Sequence, residues 1–446
     1  MRKLVVIILL AGFSLLLAGC EVPAPGTPLP SVTPLPTASP TLTTLPPTPT
    51  PARLPTTAMP PSATPTALAA KPTPEKGLPP GKLWPPRPTD FASYPEEIIA
   101  FLNAAPPHIV RLRPMLRDWG ATSDRLGEVR EADLDGDGDM EWILAIADPT
   151  PLTLTVAGNL LVIDRQGDKY RLIYQIPPKT DSYRDNVVIL ATKDINADGK
   201  AELVYTTTTC GAHTCFTAVH LYVWDGTSFR SLTRDQIEMP YGKVSLENRE
   251  GDAALELILH GGTIGSVGAG PQRARTEIYS WNGTHYVPTK TIYDESDFLY
   301  FRVLDANVAL KAGDYKKAIA LYQDAITSSK LRVWKEWIEE GKKERNDLVA
   351  FSRYRLMLTY ALAKDEAKAK AILEDLERSQ PEHIYTQVAQ TFWKAYGERK
   401  DITAACLAVT EFAYQHPETV EVLLDFGYAN PSFTPDEVCP IGIGKP

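Results

Sequence analysis

Three short segments of the chain gather oxygen-bearing side chains at a fixed spacing. The first is Asp133-Leu134-Asp135-Gly136-Asp137-Gly138-Asp139-Met140-Glu141, and the second is Asp194-Ile195-Asn196-Ala197-Asp198-Gly199-Lys200-Ala201-Glu202. The third is Asn248-Arg249-Glu250-Gly251-Asp252-Ala253-Ala254-Leu255-Glu256. In each, positions 1, 3, 5 and 9 carry a carboxylate or an amide. Hard oxygens around a sharp glycine turn are the ligands calcium takes, roughly six to eight per ion. Asp133, Asp135, Asp137, Asp139 and Glu141 are therefore expected to hold one ion, and Asp194, Asn196, Asp198 and Glu202 a second. Asn248, Glu250, Asp252 and Glu256 form a weaker set, because Ala253 stands where the other two have glycine. The expected role of the metal is to staple the turn. An EF-hand or dockerin loop does not fit. It needs a carboxylate at position 12 and an exit helix, whereas position 12 is Leu144, Tyr205 and Leu259.

Each acidic loop runs directly into a strand pattern: Trp142-Ile143-Leu144, Leu203-Val204-Tyr205 and Leu257-Ile258-Leu259. Further on come Ile163-Asp164, then Trp224-Asp225-Gly226 and Trp281-Asn282-Gly283. Asp-Gly and Asn-Gly pairs make hairpin turns. Each unit reads as four short strands, the pattern of a propeller blade. Over residues 125–292 the repeats resemble the FG-GAP/VCBS repeats of integrin-like β-propellers. That resemblance implies that the acidic loop joins the first two strands of a blade and binds calcium. Closed propellers need about four blades or more, and only three units are visible. Residues 91–124 read as helical, with Tyr94-Pro95-Glu96-Glu97 opening one helix, and supply no fourth. The expectation is a partial array capped by helices; the alternative is closure by another chain.

From residue 293 to 425 the apolar period becomes helical. Ala306, Gly313, Asp314, Tyr315, Ala318, Tyr322 and Ala325 resemble a tetratricopeptide repeat, with related positions at Ala363, Ala369, Leu373 and Pro381 and at Ala405, Val409, Phe412 and Pro417. Ala369 and Ala405 are 36 positions apart and Ala318 and Ala369 are 51 apart, against a family period of about 34. The excess is expected to be an insertion with a charged helix around Trp334-Lys335-Glu336-Trp337. A generic helical bundle is the plainer reading. The fold class is thus multidomain β plus α: propeller-like blades, then a tetratricopeptide-like array, then a tail at 426–446.

Of five cysteines, Cys210 and Cys215 flank a four-residue turn and are expected to form a disulfide. A zinc site using His213 is the rival, without a visible fourth ligand. Cys406 and Cys439 pair by elimination. The run Gly261-Gly262-Thr263-Ile264-Gly265-Ser266-Val267-Gly268-Ala269-Gly270 lacks the lysine and following helix of a phosphate loop and reads as a flexible loop. No catalytic set emerges: there is no Gly-x-Ser-x-Gly and no His-Glu-x-x-His, and His260, His285 and His383 stand apart. A dispersed carboxylate pair remains open.

The N-terminus has Arg2 and Lys3, an apolar run from Leu4 to Leu17, and then Leu17-Ala18-Gly19-Cys20. The run is short for a membrane span and has the layout of a secretory signal over residues 1–20. Its end resembles the lipobox of bacterial lipoproteins, which implies cleavage before Cys20 and lipidation of its thiol. Residues 21–90 are rich in proline and threonine, with no aromatic residue between Glu21 and Pro80. Such a chain cannot bury enough apolar surface to order itself. As extended polyproline it reaches on the order of 200 Å, a stalk. An exported chain also favours disulfides. The formal net charge of −9 argues against a nucleic-acid partner, which needs a basic field. Membrane attachment through the N-terminal lipid alone places the chain in the cell envelope, outside the cytoplasm. Three functions stay open: a non-catalytic scaffold for a protein partner, a calcium-dependent carbohydrate or cell-wall binder, and an extracytoplasmic hydrolase. Trp84, Trp142, Trp224 and Trp281 are the aromatics that could stack on a glycan, though most are expected in the core. Anchoring through Cys20 is directly testable. Cys20→Ser should release the protein from membranes or block its processing, read by membrane fractionation; unchanged membrane association refutes it.

Overall fold

Apolar spacing sets the first helices of the described chain. A computed structural model describes residues 84–104, 109–150, 157–177, 186–211, 213–335, 339–397 and 399–440. Cys20, residues 21–83, Trp337 and residues 441–446 lie outside the described residues. The chain divides into the units Met1–Leu78 and Pro79–Pro446, and all described residues belong to the second. Helix α1 (Tyr94–Leu102) carries Glu96 and Glu97 in its first turn, where the helix dipole favours them. It buries Tyr94, Ile98, Phe101 and Leu102, one helical stripe. Helix α2 (Leu112–Asp118) buries Leu112, Met115 and Leu116.

Three antiparallel sheets come next, each built from strands consecutive in sequence. Sheet 1 contains β1 (Glu128–Ala132), β2 (Glu141–Ala147), β3 (Gly158–Gln166) and β4 (Lys169–Gln175). Sheet 2 contains β5 (Asn186–Lys193), β6 (Glu202–Cys210), β7 (Cys215–Trp224) and β8 (Phe229–Ser231), with β9 (Ile237–Pro240) also pairing with β7. Sheet 3 contains β10 (Lys243–Glu247), β11 (Glu256–Gly261), β12 (Arg275–Trp281) and β13 (Tyr286–Tyr293). Each acidic segment joins the first two strands of its sheet, between the register pairs Ala132–Glu141, Lys193–Glu202 and Glu247–Glu256.

Side-chain alternation along strands stacks the layers. Leu144, Ile146, Leu161 and Ile163 face the lead-in helices. Their neighbours Ile143, Ala145, Leu160 and Val162 meet Val187, Ile189, Leu203 and Tyr205 of sheet 2. The opposite face of sheet 2, with Val204, Leu221 and Val223, packs on Leu257 and Leu259 of sheet 3. Strands covered on both faces must be apolar at consecutive positions. That is why β2 runs Trp142 to Ala147 without a polar residue.

The helical region contains α3 (Leu299–Lys311), α4 (Tyr315–Thr327), α5 (Glu340–Leu362), α6 (Glu366–Ser379), α7 (Ile384–Tyr396), α8 (Ile402–Gln415), α9 (Glu418–Leu424) and α10 (Pro435–Val438). A β region followed by an α region is thus as expected. Asp314, Asp365 and Asp401 cap α4, α6 and α8 by accepting backbone N–H groups. Each cap follows a residue in left-handed backbone: Gly313, Lys364 and Lys400. The expected charged helix around Trp334 is not formed there, since Trp334 and Lys335 lie in a turn. The preceding segment instead runs extended, bridging Phe298 to Arg332, and α5 is lengthened to 23 residues. Glu344 of α5 holds the turn by accepting the N–H groups of Trp334 and Lys335 at 2.9 and 3.0 Å. Among the described residues no helix is long and apolar enough to cross a membrane.

The glycine-rich run is a packed clasp rather than the flexible loop expected. A Cβ on Gly265 would sit 1.9 Å from the carbonyl oxygen of His213, and one on Gly270 would sit 1.7 Å from that of Phe426. The run thus binds the tip of the β6–β7 hairpin on one side and the segment after α9 on the other. The N–H of Gly265 donates to Thr214 Oγ1 at 3.0 Å, and Asn430 Nδ2 donates to Ala269 O at 3.2 Å.

Both disulfides form. Cys210–Cys215 closes the β6–β7 tip with Cα atoms 3.9 Å apart, and Cys406–Cys439 ties α8 to the end of α10. Sulfurs bonded to each other supply no thiolates, so the zinc reading with His213 fails. The bridges close loops of sequence separation 5 and 33. Loop-closure entropy then gives about 2 kcal/mol for the first and about 3.7 kcal/mol for the second. Replacing Cys406 and Cys439 by serine should therefore lower unfolding free energy more than replacing Cys210 and Cys215. Urea unfolding of the two double variants measures the order.

Candidate metal centre

The loops are built by their own first side chain. In the first loop Asp133 accepts N–H bonds from Gly136 at 2.7 Å and Gly138 at 3.2 Å. In the second, Asp194 accepts from Ala197 at 2.7 Å and Gly199 at 2.9 Å. Asp135, Asp137, Asn196 and Asp198 each accept the N–H two residues on. These nested turns curl the backbone around its carboxylates, and the curl requires left-handed backbone at positions 4 and 6. Gly136, Gly138 and Gly199 provide it freely, whereas Ala197 adopts φ +64° despite its Cβ.

The ninth residue closes each loop from inside the sheet. Glu141 and Glu202 are fully buried, and Glu256 nearly so. Each accepts the N–H of the second loop residue: Leu134 at 2.6 Å, Ile195 at 2.8 Å and Arg249 at 2.6 Å. Burial pushes the carboxyls of Glu141 and Glu202 up to about 7, and the neighbouring acids add to it. Asp135 is also raised, by burial first and then by Asp137, Asp164 and Asp133. A carboxylate buried beside other acids, as Glu141 and Glu202 are, is costly unless a cation compensates it or it takes up a proton.

Carboxylate oxygens of Asp133, Asp135 and Glu141 lie within 4.8 Å of one another, and so do those of Asp194, Asp198 and Glu202. These are the two such groups among the described residues. Asp137 and Asp139 fall outside the first group, and Asn196 joins the second by donating its amide to Glu202 Oε1 at 3.0 Å. Asn248, Glu250, Asp252 and Glu256 do not gather. Asn248 instead donates to the carbonyl of Asp252, and Glu250 accepts from Ser280. The third loop is closed by its own hydrogen bonds.

One residue of the site was not singled out as a ligand from sequence. Asp164 on β3 is buried beside the first loop, and its charge acts on both Asp135 and Glu141. Its Oδ1 and the Oε1 of Glu141 are buried without a hydrogen-bond partner. Asp164 lies outside the group of Asp133, Asp135 and Glu141 that comes within 4.8 Å, but an unpartnered buried oxygen on each of Glu141 and Asp164 near that group is what a divalent cation would satisfy. The second loop lacks this feature: Val223 stands in register with Glu202, and Asn196 already occupies the free oxygen. Tyr286 joins the second and third loops, donating to Ile195 O at 3.1 Å and Leu255 O at 3.0 Å.

His260 pairs with Asp294 and His383 with Asp347, each at 3.1 Å. His220 meets Thr207 Oγ1 at 2.9 Å but is stacked on Tyr205, its cross-strand neighbour. The four tryptophans that could have met sugars are half-buried and partnered. Trp84 donates to Asp118, Arg113 lies over Trp142, Trp224 packs on Phe229 and Trp281 on Tyr286. No protein-family model matches the chain, and no curated protein matches it.

The backbone of the second loop yields a test of its own. Ala197→Gly should stabilise the fold by about 1 kcal/mol, the left-handed strain relieved less the entropy glycine adds to the unfolded chain. Gly136→Ala should cost a similar amount. Chemical denaturation at saturating chelator separates both effects from metal binding.

Proposed function

We propose that the chain is a lipid-anchored envelope protein that presents a non-catalytic interaction module, with calcium ions stapling the first two loops of its β region. The observation that carries the metal reading is the pair of orphaned buried oxygens, Glu141 Oε1 and Asp164 Oδ1, beside Asp133 and Asp135. Calcium suits an all-oxygen set better than zinc, which favours nitrogen and sulfur. In the first loop Asp133, Asp135, Glu141 and Asp164 would hold the ion; in the second, Asp194, Asp198 and Glu202. The first is the stronger site because its free oxygens are not shared with an amide.

The propeller-like reading is supported by the strand order. Four consecutive antiparallel strands recur three times, with the acidic loop always between the first two. Helices α1 and α2 cover the face of sheet 1 where another blade would sit, which favours a capped partial array over closure by another chain. The tetratricopeptide-like reading is supported by the capped hairpins α3–α4, α5–α6 and α7–α8. Their Asp314, Asp365 and Asp401 repeat the 51- and 36-position offsets of the small residues. Both architectures present surfaces for protein partners, and the half-buried tryptophans favour that reading over glycan stacking. Lipidation at Cys20 and the stalk rest on the sequence at 17–20 and 21–90.

Calcium calorimetry on the folded chain tests the proposal. The expected result is two ions, with a rise in melting temperature, since binding to the native state alone stabilises it by about 2.7 kcal/mol at a hundredfold excess over Kd. Glu141→Gln should abolish the tighter ion, Glu202→Gln the weaker one, and Glu256→Gln neither. A melting temperature unmoved by calcium or chelator refutes the metal reading.

A further inference from the structure

Where the β region meets the helices, a cavity of about 310 Å³ opens between the end of sheet 3, helices α3 and α5, and residues 429–433. Its wall is amphiphilic. Tyr293, Tyr300, Phe301 and Phe433 supply rings, and four cations line it: Arg273, Arg275, Lys311 and Arg355.

Three of these cations are neutralised. Arg273 forms a two-pronged pair with Asp305 at 2.6 and 2.9 Å and lies over the rings of Tyr293 and Phe301. Arg275 pairs with Glu277 at 2.6 Å. Lys311 pairs with Glu437 at 2.9 Å. Arg355 is different. Its side chain is 0 % exposed, and its guanidinium donates from Nη2 to the carbonyl of Glu437. Its Nε and Nη1 have no hydrogen-bond partner, and no ion pair forms with it among the described residues. It lies over the ring of Phe351, 5.0 Å from ring centre to guanidinium carbon. Arginine does not shed its proton on burial as lysine does, so the charge stays. A buried guanidinium without a counter-ion is a large destabilising charge.

We infer that this cavity binds a small organic monocarboxylate, its apolar body against the aromatic wall and its carboxylate supplying the counter-ion that Arg355 lacks. The charge count sets the class. With Arg273, Arg275 and Lys311 already paired, one positive charge remains, which matches a single carboxylate and leaves a doubly charged phosphate monoester with an excess negative charge. The cavity volume is at the small end of ligand sites, about 300–1,000 Å³, which suits a ligand of amino-acid size. Arg355 acts here in binding; no reaction is implied, and the site is independent of the metal loops.

The test uses the folded chain with calcium present. Phenylacetate should bind in calorimetry and raise the melting temperature, with phenylacetamide, its uncharged analogue, at least tenfold weaker. Arg355→Met should keep the fold, because it replaces a buried charge that has no counter-ion with an apolar side chain of similar length, and should lose the tenfold preference for the acid. If that variant does not fold, Leu304→Trp narrows the cavity and leaves the guanidinium in place; it should weaken phenylacetate at least tenfold. Equal affinity for acid and amide overturns the inference, as does phenyl phosphate binding more tightly than phenylacetate. Absence of binding by both phenylacetate and hexanoate in the millimolar range also overturns it.

Discussion

A buried glutamate at the first position of the second strand organises the β region. Glu141, Glu202 and Glu256 each commit one carboxylate oxygen to the N–H of the second loop residue. That bond fixes where the loop begins relative to the strand it enters, and so fixes the strand register. A carboxylate in the interior must then be compensated. The three loops answer differently: orphaned oxygens in the first, the Asn196 amide in the second, a self-bonded turn in the third. The shared constraint gives the common shape, and the different compensations separate a metal-demanding loop from one that closes alone.

Stacking has its origin in the same geometry. Because β2 and β6 enter the core directly behind their glutamates, both faces of sheets 1 and 2 are apolar and must be covered. Helices α1 and α2 cover one end. Sheet 3 ends the stack by turning polar: Lys243 and Ser245 of β10 are exposed and alternate with half-buried Val244 and Leu246, and β13 is exposed from Pro288 onward.

Much of this was legible in the sequence. Spacing located the acidic loops, the strands after them and the change to helical period, because those signals are local. The cysteines flanking a four-residue turn located their own partner. What escaped was contributed across the fold. Asp164 reaches the first loop from β3, which no spacing within the loop reveals. The glycines at 265 and 270 looked like freedom and are close approach, since their neighbours His213 and Phe426 are distant in sequence. The residues around Trp334 have a helical composition, yet Glu344 binds their N–H groups in a turn. Arg355 is one of many charges in α5, and only burial distinguishes it.

Phe426, which meets Gly270 in the clasp, lies within the loop that Cys406 and Cys439 close. Residues 426–430 are thus held by covalent bonds on both flanks while they grip the glycine-rich run. The one bond that narrows the unfolded ensemble of the helical region therefore also spans the segment through which that region meets the β region, so a single cross-link serves both the bundle and the joint.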